Sequence, residues 1–308
     1  MNADRSASVL ARLLNRSRDT GENYNLLLSR FVIERLLYRL SQSRHANNFV
    51  LKGALLFSLW YGTPHRPTKD ADLLGFGADD ADTLRTTFTE VCALDVDDGV
   101  RYDTESMRIE PIREDNVYGG LRLTVLAFMG SARLPVQVDI GFGDAITPSA
   151  EFITYPTVLE GLDSPRLRAY PVYTVVAEKA HAMVVLELAN SRMKDFFDLH
   201  VIASSTPLSG LTLLQAVRAT FDRRGTAMPT SEPVALTASF ATHRDKVRQW
   251  SAFQSKANLK PVDLESIVNT LRELLLPVLL DSSTDPVSPK IWNPDQRHWR
   301  LARANDAS

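Results

Sequence analysis

The sequence predicts an α+β protein: a mixed sheet with flanking helices, followed by a mainly helical C-terminal lobe. Three observations carry that class. Apolar residues recur at helical spacing near the N-terminus, short strand-type apolar runs fill residues 49–143, and helical spacing returns from Thr174 onward. The 308 residues suffice for one large domain or two ordinary ones, and 44% hydrophobic with 23% charged residues is ordinary globular composition. A formal net charge of -2 argues against a protein held on nucleic acid by bulk charge, although a local basic cleft stays open. A single cysteine, Cys92, rules out an internal disulfide and a cysteine-based zinc site, and it reads as a small core residue. The N-terminal residues lack a signal-type apolar stretch, and no segment approaches the roughly 20 apolar residues of a membrane helix. The expected location is the cytoplasm.

The elements follow in order. Ser6 to Leu14 and Asn25 to Leu40 predict helices, the second with Leu27, Phe31, Ile33, Glu34, Leu37 and Leu40 on one mostly apolar stripe. Phe49 to Gly53 predicts a strand stopped by glycine, and Ala54 to Tyr61 a short helix broken by Pro64 and Pro67. Lys69 to Gly77 predicts a strand entering a turn. Asp79 to Leu94 predicts a helix capped by Asp79 or Asp80. The acidic stretch Asp95 to Asp115 predicts loops around one short strand, MRIEPI. Gly120 to Gly130 and Leu134 to Gly143 predict a hairpin linked by Ser131, Ala132 and Arg133. Helices are then expected over 174–189, 194–204, 211–221, 244–253 and 262–280, with an irregular tail after Asp281. Pro165 and Pro171 flank the change of pattern, which divides the chain into residues 1–165 and 166–308.

Candidate chemistry starts with Asp70 and Asp72. Residues two apart on a strand point to one side, so two carboxylates converge on one spot. Unpaired they would repel, and a hard divalent cation, magnesium, relieves the conflict. A lone Asp-x-Asp is also a common surface pair. In LPVQVDIGFG, Val136, Val138 and Ile140 take one face of a strand while Gln137 and Asp139 take the other. If that strand lies beside the Asp70 strand, Asp139 is a third ligand. Three carboxylates from two strands suit two magnesium ions and in-line displacement at phosphorus. Asp144, in a glycine-flanked loop, is the competing third acid.

Lys52 and Gly53 lie at a strand-to-helix junction, where backbone N–H groups can receive a phosphate; a plain turn is the alternative. Arg66, Thr68 and Lys69 place a hydroxyl and two cations beside the acids, which suits a triphosphate or a solvated loop.

At this point LKGALLFSLWYGTPHRPTKDADLL resembles the signature of the AbiEii/AbiGii toxin family, in the DNA polymerase β-like nucleotidyltransferase superfamily. Lys52-Gly53, Tyr61-Gly62, Arg66, Thr68, Asp70 and Asp72 carry the first half of the match. Glu178 and Lys179, then Arg192, Lys194, Asp195 and Asp198, carry the second. The resemblance spans about residues 48–205 and departs at Ala54 and Thr68, where the family has glycine and serine. It implies a nucleotidyltransferase-type sheet, with the helical lobe completing the nucleotide site. Together with Asp139 from the strand reading above, it implies catalytic Asp70, Asp72, Lys179 and Asp195. Lys52, Gly53, Arg66, Thr68 and Lys179 would bind the nucleotide, with magnesium on the three strand acids.

On the residues alone, Lys179 either snorkels or faces an anion. Asp195 reads as a first-turn acid, and Asp198 as a structural partner of Arg192 or Lys194. His181 and His200 read as packed or surface histidines. The resemblance implies transfer of nucleotides from an NTP to RNA, the tRNA 3′ end above all, blocking translation and growth, with a cognate antitoxin encoded nearby. Arginines in residues 1–45 and cations in residues 218–248 could line a nucleic-acid channel or simply face solvent. The competing readings are a transferase acting on an antibiotic or metabolite and a non-catalytic nucleotide-binding partner protein.

Overall fold

The N-terminal apolar stripes fold into α1 (Ala3–Thr20) and α2 (Tyr24–Gln42). Asn23 caps α2, its side chain accepting from the backbone N–H groups of Asn25 and Leu26. The structure, a computed structural model, describes residues 3–62, 64–112, 119–281 and 286–303. It divides into two compact units, Met1–Gly143 with Glu151–Ala169, and Asp144–Ala150 with Tyr170–Ser308.

The first unit continues with β1 (Phe49–Lys52), α3 (Leu55–Tyr61), β2 (Asp70–Gly75), α4 (Ala81–Ala93) and β3 (Arg101–Pro111). Then come β4 (Gly120–Met129), β5 (Ala132–Phe142), β6 (Glu151–Thr154) and β7 (Arg166–Ala169). Among the described residues these strands form one seven-stranded sheet, ordered β3-β4-β5-β2-β1-β7-β6. Two pairs, β2 with β5 and β1 with β7, run parallel; the rest run antiparallel. Strand alternation sorts the side chains. Leu123, Val125, Ala127 and Met129 of β4 and Val136, Val138 and Ile140 of β5 are buried on one face. Tyr102, from that face of β3, donates its hydroxyl to the Val32 carbonyl of α2 at 2.6 Å, so α2 covers this side. A buried pair fastens the start of β3: Arg39 of α2 donates to both oxygens of Asp98 at 2.6 and 3.1 Å, and to the Val100 carbonyl.

The second unit holds α5 (Val172–Leu186), α6 (Met193–Ser205), β8 (Leu208–Ser209), α7 (Gly210–Arg223), α8 (Ala238–Thr242), α9 (Arg244–Ala257) and α10 (Leu264–Leu279). Its last elements, β9 (Lys290–Asn293) and β10 (His298–Leu301), join β8 in a small antiparallel sheet. Trp292 is fully buried there and donates to the Ala203 carbonyl of α6.

Several expectations need correction. The tail after Asp281 is not irregular throughout, because Trp292 and Trp299 anchor a hairpin; residues 282–285 and 304–308 lie outside the described residues. The strand expected only at MRIEPI runs over all of Arg101–Pro111, with an irregularity between Asp103 and Arg108 that hides its period. The end of the acidic stretch, residues 113–115, lies outside the described residues. The β4–β5 hairpin turns on Gly130 and Ser131 rather than on residues 131–133. Strands β6 and β7 are too short to show a pattern in sequence.

Candidate active site

Strand β2 begins at Asp70. Ala71, Leu73 and Leu74 are buried, while Asp70 and Asp72 stay partly exposed. Its parallel neighbour β5 sets Asp72 directly beside Asp139, and Asp70 beside Gln137. Paired residues share a sheet face, so the three carboxylates lie on the side opposite α2. Thr68 donates its hydroxyl to Asp70 at 2.5 Å. Across the other edge of β5, Arg122 of β4 forks onto Asp139, with Nε and Nη2 at 2.8 and 2.7 Å from its two oxygens. Gln137 adds a third donor at 3.2 Å.

Lys52 lies opposite Asp72 on the antiparallel side. Gly53, next in the chain, has φ +74°, and an added Cβ would fall 2.0 Å from Asp72 Oδ2. The glycine therefore does two things: it takes a left-handed backbone, and it leaves the space in which the Asp72 carboxylate sits. Ala54 has φ -67° and ψ -24°, ordinary right-handed values, so alanine in place of the family glycine meets no backbone strain.

The donor chemistry fits a hard divalent cation: anionic oxygens from two neighbouring strands, on a partly exposed face. Among the described residues no three carboxylate, histidine or cysteine groups are drawn tightly around one point. At Asp139 the Arg122 guanidinium supplies a positive charge.

The second-half residues form their own cluster in the helical unit. Lys179 of α5 donates to Asp195 at 2.5 Å and to Asp198 at 2.9 Å, both on α6. Arg192 Nε reaches the second oxygen of Asp195 at 2.7 Å. Asp198, read from the sequence as a partner of Arg192 or Lys194, also accepts from Lys179. The anion faced by Lys179 is thus carried by the protein itself. Burial pushes the Lys179 ammonium down and the Asp195 carboxyl up, but their mutual attraction prevails: Lys179 is held above, and Asp195 below, its ordinary range.

Asp144, the alternative third acid, accepts from Arg224 Nη2 at 2.9 Å. Arg224 also reaches His181 Nδ1 at 3.2 Å. Arginine can only donate, so Nδ1 accepts and Nε2 carries the proton, 2.9 Å from Thr226 Oγ1. Burial first, then the adjacent Arg224, push the His181 pKa down to about 4. His181 is packed edge-on against Phe221. Cys92 is buried, and its thiol is pushed up to about 12.

Three features escaped sequence reading. Arg122 carried no motif, and only the two-residue turn of the hairpin places it opposite Asp139. The contact of Gly53 with Asp72 needed the β1–β2 register. The Arg224–Asp144–His181 set joins residues far apart in the chain, with no local spacing to announce it.

The first unit is thus a mixed sheet presenting aspartates from adjacent strands on one face, and a helical unit follows it. The chain matches the family described as nucleotidyl transferase AbiEii toxin, of a type IV toxin–antitoxin system, over residues 35–274. It belongs to that family, is a nucleotidyltransferase by that membership, and by the same membership has a cognate antitoxin. Two solved Helicobacter pylori structures resemble it. JHP933 shows 17% identity and a TM-score of 0.47, over 84% of this chain and 91% of that one. A second, described provisionally as a nucleotidyltransferase, shows 16% and 0.47, over 84% and 94%. The family assignment rests on the family match. No curated protein matches the sequence. No helix among the described residues is long and apolar enough to cross a membrane.

Proposed function

We propose that this chain transfers nucleotides from a nucleoside triphosphate to RNA, at the tRNA 3′ end, and thereby blocks translation and growth. The observation that carries the chemistry is the register of β2 against β5, which sets Asp72 beside Asp139 with Asp70 on the same face. Family membership supports the toxin role.

Asp70, Asp72 and Asp139 would hold magnesium. When bound, the metal lowers the pKa of the attacking hydroxyl and stabilises the departing pyrophosphate. The protein's own part is alignment. Thr68 orients Asp70, and Gly53 keeps the Asp72 carboxylate in place. Lys52, Gly53, Arg66 and Thr68 are assigned to the triphosphate. Lys179 uses two of its three N–H bonds on Asp195 and Asp198 and is assigned to the phosphates through the third. Asp195 and Asp198 then act as positioning residues for Lys179. The acceptor hydroxyl gives its proton to solvent and its oxygen bonds to the α-phosphorus, as the bond from that phosphorus to the bridging oxygen breaks and pyrophosphate leaves.

The protein acts in the cytoplasm, and its antitoxin is encoded beside it. Incubation with α-labelled nucleotides, magnesium and a total RNA pool tests the acceptor. Label in tRNA, removed by 3′-exonuclease, is the expected result. RNA left unlabelled while a small hydroxyl compound takes the label would replace this reading with that of a small-molecule transferase.

A further inference from the structure

The face of the sheet that bears the acids continues beyond them. Four cross-strand rows run over β3, β4 and β5 on that face: Glu110–Arg122–Asp139, Arg108–Thr124–Gln137, Asp103–Leu126–Pro135 and Arg101–Phe128–Arg133. The opposite face is packed against helices, but every residue in these rows is partly or fully exposed. Asp139 lies six positions after Arg133, about 20 Å along the strand. At the far end Arg101 and Arg133 flank one aromatic ring, with guanidinium carbons 4.5 and 5.9 Å from the Phe128 centroid. Two cations thereby lie beside one π-surface, both exposed.

We propose that the β4–β5 lane from Phe128 to Asp139 is the docking track for the single-stranded 3′ end of the acceptor RNA. A guanidinium plane or an aromatic ring stacks on an unpaired base, and a base inside a duplex has no face to offer it. Arg101 and Arg133 neutralise phosphates at the distal end. Thr124 and Gln137 offer hydroxyl and amide groups to base edges along the way. β3 borders the lane with two cations, Arg101 and Arg108, and two acids, Asp103 and Glu110, so its charges cancel and Arg133 of β5 adds the surplus positive charge at the distal end. Because the whole chain is slightly acidic, the attraction is local to this row of side chains.

The inference rests on the RNA acceptor proposed above, and a binding assay without nucleotide or metal separates the two. The probe is a ten-nucleotide single-stranded RNA with a free 3′ hydroxyl, followed by fluorescence anisotropy on the full chain. The track predicts that R101E/R133E weakens binding at least tenfold, while K256E/K260E, the same charge change on exposed lysines elsewhere, stays within twofold. R101Q/R133Q should flatten the dependence of log affinity on log salt by about 1.4, from two phosphate contacts at about 0.7 each. The proposal is overturned if wild type ignores the strand, if a blunt duplex binds equally well, or if both charge-reversed pairs lose affinity alike. It is also overturned if an acidic peptide competes for the lane and RNA does not. If wild type labels RNA while R101E/R133E binds the strand normally, the track falls and the acceptor reading stands. If the strand binds as expected and no RNA is labelled, the acceptor reading falls and the track stands.

Discussion

Gly53 shows how a residue can serve a site through the side chain it lacks. Its missing Cβ is the volume that the Asp72 carboxylate occupies, and its φ of +74° is the left-handed region. Gly53→Ala should therefore lose about 1–2 kcal/mol of stability to the backbone and also push Asp72 aside. Transfer should drop at least tenfold, measured with labelled nucleotide beside a thermal melt. Ala54→Gly, which restores the family residue one position later, should leave transfer within twofold, because that position already has helical dihedrals. If Gly53→Ala retained full transfer, the carboxylate would have to have another place to go. The acids themselves were legible because period-two alternation is a local property of a strand. Gly53 was legible as a glycine in a turn, but not as the neighbour of Asp72, since that contact spans two strands.

Pairs between helices set what α5 and α6 can tolerate. Lys179 neutralises two carboxylates that are almost fully buried. Lys179→Met leaves them with too little positive charge, and breaking a buried pair from one side costs about 3–5 kcal/mol. Chemical denaturation should show that loss, and Lys179→Arg should recover part of it; a Met variant as stable as wild type would mean that the acids are solvated. Acid should act on the same unit through histidine. Burial holds His181 and His200 neutral down to about pH 4, against an ordinary value of 6.5. The unfolded chain binds those protons earlier, so this contribution is complete above pH 6.5 and is lost as pH falls through about 4. The melting temperature should fall across that window, and more shallowly in His181→Gln, whose amide can still accept from Arg224. An unchanged slope would show that His181 takes up its proton without cost. Helices of this unit were readable from apolar spacing. Their ion pairs were not, because the i,i+3 proximity of Arg192 and Asp198 to Asp195 in sequence says nothing about which lysine on another helix faces them.

Family membership says what the chain is, a nucleotidyltransferase of the AbiEii toxin family. The division of the chain into two units falls at Ala169 and Tyr170, with residues 144–150 assigned to the helical unit, an excursion that no composition shift marks. Elements with long periodic stretches were foreseen in kind, whereas β7 and the terminal hairpin are held by partners distant in sequence, β1 for β7 and β8 for β9. The register of β2 with β5 remains the feature on which the chemistry turns. Its direct test is transfer of label from an α-labelled nucleoside triphosphate by Asp70→Asn and Asp72→Asn, each checked for an unchanged melting profile. Loss of transfer in both folded variants is the expected result; full transfer in either would contradict a carboxylate site on this face.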